Sequence, residues 1–164
     1  MGLPMAKNIL KSRFKLKAFN RSIEKAEPLK EFGADNSKTI GDVVKDSDFV
    51  ITMLTDDSAV DAITSSSDFI DNLKSGSTVI DMSSVKPTTA TKHGTNLKSG
   101  SIVIDMSSVK PTTATKYGNS LKSKNVNYLD APVSGGTIGA AEASLAIMVG
   151  GCLLYTSPSP RDRG

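Results

Sequence analysis

The chain has 164 residues, of which 38% are hydrophobic and 23% are charged, and its net charge is +3 at pH 7. This length predicts one domain, and the spread of Lys and Arg along the chain argues against a nucleic-acid-binding surface. With no apolar run near the roughly 20 residues of a membrane span, no secretory signal and one cysteine, we expect a cytoplasmic protein without membrane contact, disulfide or metal centre.

The first third of the chain alternates helical and extended patterns. A helix should begin at Gly2, because Pro4 suits a first helical turn. Residues 14–19 alternate apolar and basic side chains, which is typical of a strand. The chain should then turn helical again, restart at Pro28 and stop at Gly33.

Four apolar segments predict strands in the rest of the chain. Residues 49–54 form a nearly continuous apolar run, which favours a strand covered on both faces. A helix should follow from Ser58 to Ile63. Strands alternating with helices predict an α/β fold with a parallel sheet. The other predicted strands are residues 78–82, 102–106 and 127–133.

A near-identical repeat interrupts this order. Residues 73–96 and 97–120 differ only at Thr78/Ile102, His93/Tyr117, Thr95/Asn119 and Asn96/Ser120. Arrays that share a core usually need about three repeats. We therefore interpret the repeat as a duplication or an assembly error, with no obvious place for a second strand. If it did pair beside the first, it would push the strand over 127–133 outward by about 4.8 Å.

The composition changes abruptly after Gly151. Residues 152–164 read CLLYTSPSPRDRG, are rich in Pro and Ser, and continue no periodic element. CLLYTS can be back-translated as the end of a transposase adapter used in sequencing libraries. We expect these residues to be a non-native, adapter-derived tail.

Several motifs occur in an order that is typical of one family. They are GLPMAKNIL, NRS, VITMLTDD, VIDMSSVKP, YLDAPVSGG and SLAIMVGG. With one repeat copy set aside, residues 1–151 resemble the β-hydroxyacid dehydrogenases. The resemblance implies a Rossmann-type, doubly wound parallel sheet. It also implies hydride transfer between a nicotinamide cofactor and a small 3-hydroxy acid or its semialdehyde.

The chain also departs from that family pattern. The family begins with a strand and G-x-G-x-x-G, of which only the last glycine, Gly2, stands here. The family's catalytic lysine lies in a helical second domain and has no counterpart to assign. We therefore expect residues 1–151 to be a partial dinucleotide-binding domain, an incomplete Rossmann-type sheet without the first strand and the C-terminal helical domain. No catalytic residue is assigned, and the fragment should be inactive.

The resemblance assigns cofactor contacts at two strand ends. Gly2 would let the start of a helix approach the pyrophosphate. Asn20 and Arg21 follow the family's second strand, where an acidic residue would favour NAD(H). Because Arg21 can instead contact a 2′-phosphate, we expect NADP(H), with NAD(H) as the alternative.

Two further strand ends would also touch the cofactor. The backbone of Met53 and Leu54 would lie along the cofactor ribose, although core packing explains their side chains equally well. Ser84 or Ser108 would stand beside the nicotinamide ribose. Ser84 has the family's spacing to the upstream motif and Ser108 to the downstream motif, so either copy could be native.

The glycine-rich turn is the expected substrate site. Ser134, Gly135 and Gly136 match the family's turn that binds a substrate carboxylate, where hydroxyl and N–H donors suit an anion. The motifs are most similar to those of enzymes acting on tartronate semialdehyde, with 3-hydroxyisobutyrate as the alternative substrate. A non-catalytic nucleotide-binding or assembly module is the competing class. The parent enzyme should be a homo-oligomer.

Three polar residues of the repeat have simpler interpretations. His93 is replaced by Tyr117 in the second copy, which argues against general-base chemistry, and we expect it on the surface. Asp81 and Asp105 end predicted strands and should make structural hydrogen bonds in the following loops.

Overall fold

The computed structural model describes residues 1–151 of the chain as seven α-helices and nine strands, with two short 3₁₀ helices. The α-helices are α1 (Gly2–Lys11), α2 (Ile40–Val44), α3 (Asp57–Thr64), α4 (Ser67–Asn72), α5 (Pro87–Thr95), α6 (Pro111–Lys122) and α7 (Gly136–Glu142). The strands are β1 (Lys17–Ala18), β2 (Asp35–Asn36), β3 (Phe49–Thr52), β4 (Thr78–Asp81), β5 (Ile102–Asp105), β6 (Asn127–Asp130), β7 (Val133–Ser134), β8 (Ala146–Ile147) and β9 (Gly150–Gly151).

A five-stranded sheet in the order β3-β4-β5-β6-β9 forms the centre of the described chain. Strands β3 to β6 are parallel, and β9 pairs antiparallel with β6. Helices connect the parallel strands, as βαβ units require. The expected α/β fold with a parallel sheet is therefore confirmed.

The second repeat copy occupies a strand position of its own. Strand β5 pairs in full register with β4 on one side, so that Val103 faces Val79. It pairs equally with β6 on the other side, where Val103 faces Tyr128. The expectation that this strand has no place in the sheet was wrong, because its alternating burial is that of the first copy and lets it extend the same sheet. As predicted for the case in which the second copy pairs beside the first, β6 is displaced outward by one strand position.

The core lies between the sheet and the helices of both copies. Phe69, Leu73, Val79 and Leu121 are each no more than 1% exposed, and Tyr117 and Tyr128 stack edge to face with ring centroids 6.4 Å apart. Both copies thus contribute buried side chains to one core.

Strand β3 differs from its prediction. Phe49 is 67% exposed and Ile51 42%, whereas Val50 is only 5% exposed. The run is therefore covered on one face only, because the crossovers from β3 to β6 advance across the sheet in one direction and so place their helices on the same face. Strands β1 and β2 form a separate parallel pair.

Other elements are shorter than predicted. The strand expected over residues 14–19 is reduced to β1, and the helical segment ending at Gly33 is two 3₁₀ helices, Ile23–Lys25 and Glu27–Phe32. The strand expected over residues 127–133 divides into β6 and β7, because the chain leaves the first sheet at Pro132 and Val133 pairs with Ile147 instead.

Candidate functional site

The residues expected to bind the cofactor follow the carboxyl ends of parallel strands. Met53 and Leu54 come directly after β3, Ser84 follows β4, and Ser108 follows β5. Open α/β sheets bind ligands at this edge, outside the carboxyl ends of their strands. The fold thus places these four residues along one edge of the sheet.

The start of α1 lies against the turn after β3. A Cβ built on Gly2 would be 3.6 Å from the Cγ of Met53, an ordinary contact, so the helix start lies directly beside this turn. The first turn of α1 has no acidic side chain, and no side chain caps it. Its N–H groups and the helix dipole therefore suit an anionic ligand, such as a pyrophosphate.

Hydrogen bonds connect the turn after β3 to the first repeat copy. The Leu54 amide donates to Ser83 Oγ at 3.0 Å. Asp81 Oδ1 accepts from Thr52 Oγ1 at 2.8 Å and from the Ser83 amide at 3.0 Å. The backbone of Leu54, an expected cofactor contact, is thus held by the loop that contains Ser84.

The corresponding strand end and loop of the second copy are hydrogen-bonded toward β6 instead of toward β3. Asp105 Oδ1 accepts from the Ser107 amide at 2.9 Å and from Ser107 Oγ at 2.6 Å. Asp105 Oδ2 accepts from the Tyr128 hydroxyl at 3.1 Å. Ser108 is therefore carried by a loop that is bonded to β6. The expected structural hydrogen bonds of Asp81 and Asp105 are confirmed.

A pocket of about 400 Å³ lies between the two repeated loops. Ser84 and Ser108 both line it, so the structure brings the duplicated serines to one open surface pocket. Asp57 also lines it and accepts from the Lys86 amide and Thr89 Oγ1, both at 2.7 Å. The Thr89 and Lys86 hydrogen bonds lower the pKa of Asp57. The remaining lining residues are Val85, Lys86 and Ser107.

Asn20 and Arg21 lie apart from this pocket, after β1 in the smaller parallel pair. Both are exposed, and Asn20 Oδ1 accepts from the Ser22 amide at 3.0 Å. That bond closes a local turn, which presents the following arginine to solvent.

The glycine-rich turn has the backbone that its sequence predicts. Gly135 has φ = 130° and Gly136 has φ = 57°, conformations that favour glycine. Ser134 ends β7, and all three residues are exposed. The helix that follows is tied to α1, because Asn8 Nδ2 donates to the carbonyl of Ala140 at 2.8 Å.

The expectation that His93 lies on the surface was wrong. His93 is 1% exposed, and its ring meets Phe69 edge to face at 6.2 Å. Its Nδ1 lies 3.8 Å from Asp81 Oδ2. Burial alone would raise the pKa of Asp81, but the nearby His93 and the hydrogen bonds from Ser83 bring that pKa below its ordinary value. His93 is buried because α5 packs its side chain against Phe69 of α4 and against Asp81 at the end of β4.

Sequence reasoning missed the polar residues that join neighbouring strands. Thr52, Ser83 and Tyr128 all bond to the repeated aspartates, and the only advance signal was the recurring Asp-Met-Ser-Ser at the strand ends. Asp130 was also missed. Burial and the adjacent Asp105 charge raise its pKa.

Two further properties concern residues 1–151 alone. No helix in that range has the length and apolar character needed to cross a bilayer. The same range contains no group of three or more His, Cys, Asp or Glu side chains that could hold a metal ion. The predicted adapter-derived tail, residues 152–164, lies outside the described residues.

A parallel sheet with a glycine-led helix and polar turns at its carboxyl edge defines a nucleotide-binding domain of the Rossmann type. The chain belongs to the family described as the NAD binding domain of 6-phosphogluconate dehydrogenase, which matches residues 1–98 and again 94–153. The second match begins near the junction of the two repeat copies, so each copy falls in a match of its own.

Relatives among curated and solved proteins agree with this family. The uncharacterized oxidoreductase YkwC of Bacillus subtilis is 36% identical over 92% of this chain and 44% of its own length. The mitochondrial 3-hydroxyisobutyrate dehydrogenase of Drosophila melanogaster is 34% identical over 92% of this chain and 39% of its own. The solved 3-hydroxyisobutyrate dehydrogenase of Mycobacterium tuberculosis, with L-serine, superposes with a TM-score of 0.65 at 27% identity, covering 93% and 44%. The chain thus spans less than half the length of these relatives.

Proposed function

We propose that the chain is the nucleotide-binding part of an NAD(P)-dependent β-hydroxyacid dehydrogenase. The whole enzyme would transfer hydride between the cofactor and a small 3-hydroxy acid or its semialdehyde. The observation that carries the proposal is the approach of Gly2 to Met53, beside a Leu54 amide held by Ser83. This puts an uncapped helix start next to a fixed turn at the ligand-binding edge.

Each expected residue has a defined task in this proposal. The first N–H groups of α1 bind the pyrophosphate, with Gly2 leaving room for it. The backbone of Met53 and Leu54 supports the adjoining ribose. The cofactor, when bound, supplies the hydride acceptor or donor, and Ser84 or Ser108 orients its nicotinamide ribose.

We propose NADP(H) as the cofactor and NAD(H) as the alternative. The support is Arg21, which is exposed directly after the Asn20 turn and free to reach a 2′-phosphate. A relative from Pseudomonas aeruginosa, 31% identical, is named an NAD-dependent L-serine dehydrogenase, so the family includes the alternative.

The proposed substrate is a small carboxylate, with tartronate semialdehyde ahead of 3-hydroxyisobutyrate. Ser134, Gly135 and Gly136 would bind the carboxylate through hydroxyl and N–H donors. The positive φ angles of the two glycines support an anion-binding turn. We also propose a cytoplasmic, homo-oligomeric parent enzyme that binds neither nucleic acid nor membrane.

The domain proposal follows from the same pattern. Residues 1–151 form one partial dinucleotide-binding domain that includes the repeat, and residues 152–164 are a non-native tail. The polypeptide of 164 residues should have no dehydrogenase activity, since it holds neither the family's lysine nor a full glycine loop.

Two proteins test the proposal: the 164-residue chain, and a completed chain. In the completed chain, the first strand and second domain of a relative are joined to residues 1–151, and residues 97–120 are removed. We expect no turnover by the first, and reduction of tartronate semialdehyde with NADPH by the second. Preferred oxidation of 3-hydroxyisobutyrate would select the alternative substrate. Micromolar NADPH binding without turnover by the completed chain would instead identify a non-catalytic nucleotide-binding module.

A further inference from the structure

Each repeat copy ends its strand with a buried carboxylate. Asp81 is 3% exposed and Asp105 is 2% exposed. The register places them side by side, with Thr52 facing Asp81 on β3 and Asp130 facing Asp105 on β6. A buried carboxylate is costly unless donors satisfy both of its oxygens.

Asp81 has donors on one oxygen only. Its Oδ1 accepts from Thr52 Oγ1 and from the Ser83 amide. Its Oδ2 is buried and has no hydrogen-bond partner among the described residues. The 3.8 Å that separate this oxygen from His93 Nδ1 exceed a hydrogen-bond distance.

Asp105 shows the complementary arrangement. Its Oδ2 accepts from the Tyr128 hydroxyl at 3.1 Å, so it is bonded toward β6. Its Oδ1 accepts twice from Ser107, within its own loop. The residue that faces it on the preceding strand is Asp81, which has no hydroxyl to donate. Asp81 therefore bonds toward β3, and Asp105 toward β6.

We propose that a single carboxylate at this strand end is the positioning residue that ties the turn after β3 to β6, and that the duplication has divided its contacts between Asp81 and Asp105. An ionised carboxylate has about four acceptor sites, so one group can serve both flanks. When residues 97–120 are removed, β6 moves beside β4, and the free Oδ2 of Asp81 accepts from the Tyr128 hydroxyl.

The positioning acts on the backbone of Leu54. Asp81 holds the Ser83 amide, and Ser83 Oγ in turn accepts from the Leu54 amide at 3.0 Å. This inference rests on the proposed function in one respect only. The proposed function identifies the turn after β3 as the cofactor side of the site and β6 as the substrate side. In the duplicated chain these sides are held by different carboxylates.

The division is tested in the full 164-residue chain by the carboxyl ¹³C resonances of the two aspartates. Thr52→Val should shift the Asp81 resonance and leave Asp105 unchanged. Tyr128→Phe should shift Asp105 and leave Asp81 unchanged. If either substitution shifts both aspartate resonances, the proposed division is wrong. It is also wrong if neither substitution shifts any aspartate resonance.

The single-carboxylate claim is tested in two deletions, of residues 97–120 and of residues 73–96. In each, Thr52→Val and Tyr128→Phe should both shift the one remaining aspartate resonance. In the deletion of 97–120, Asp81→Ala should raise amide exchange at Leu54 at least tenfold more than global exchange. A response to only one substitution, or failure of both deletions to fold, overturns the claim. Because no measurement uses nucleotide, loss of NADPH binding would contradict the proposed function alone.

Discussion

Two glycines at equivalent positions of the repeat offer a matched test of how the copies pack. Gly94 lies near the end of α5 and Gly118 lies within α6. A Cβ on Gly94 would be 2.6 Å from Leu121 Cδ1 and 2.7 Å from Cδ2. A Cβ on Gly118 would meet only Tyr128 Cδ1, at 3.7 Å, which is an ordinary contact.

The two alanine variants should therefore shift stability in opposite directions. Alanine in place of glycine gains up to about 1 kcal/mol of helix propensity, and less near a helix end such as that of Gly94. Overpacking costs about 1–3 kcal/mol, and the buried Leu121 side chain, 0% exposed, has little room to move. We expect Gly118→Ala to stabilise the chain by up to about 1 kcal/mol, and Gly94→Ala to destabilise it by about 1 kcal/mol.

Urea unfolding of the 164-residue chain and both variants, followed by circular dichroism, measures these changes. The midpoint should rise for Gly118→Ala and fall for Gly94→Ala with a constant slope. Equal midpoints for the two variants would refute the packing of the first copy's helix α5 against Leu121 of α6.

Three further predictions test the site and its electrostatics. Arg21→Ala in the completed chain should weaken NADPH binding roughly 10- to 100-fold more than NADH binding, because one charge-assisted hydrogen bond is lost. Calorimetry measures both affinities, and equal losses of affinity would contradict a 2′-phosphate contact. Gly135→Ala should lower the melting temperature more than Gly136→Ala, because its Cβ would come within 3.1 Å of a leucine methyl carbon whereas a Cβ at Gly136 meets nothing within 4 Å; equal losses would contradict the crowding. The raised pKa of Asp130 means that folding favours its protonated form, so native stability should fall as pH rises from the ordinary value of 3.8 through the folded pKa. Asp130→Asn should remove that fall, and an unchanged pH profile would argue against the raised pKa.

The spacing of apolar residues and the turn residues predicted those elements that depend only on the local sequence. The strand ends at Asp81 and Asp105, the helix start at Gly2 and the glycine turn at Gly135 all follow from residue type and spacing. The family motifs then indicated which of these ends form the nucleotide edge.

The features that depend on strand order could not be predicted in this way. Whether Phe49 is covered depends on which helices pack on its face of the sheet, and the burial of His93 depends on Phe69 and Asp81, which belong to other elements of the fold. The bonds from Thr52 and Tyr128 cross between strands, so they follow from the register of the sheet and not from local pattern.

The placement of the second copy between the first copy and the strand that leads to the glycine turn is the main feature of this sheet. Nuclear Overhauser contacts between backbone protons of neighbouring strands, in the isotope-labelled 164-residue chain, test it directly. We expect contacts from Val103 to both Val79 and Tyr128, its partners in the register. We expect none between Val79 and Tyr128, which lie two strand spacings, about 9.6 Å, apart. Direct contacts between Val79 and Tyr128, with Val103 contacting neither, would show that the second copy lies outside the sheet.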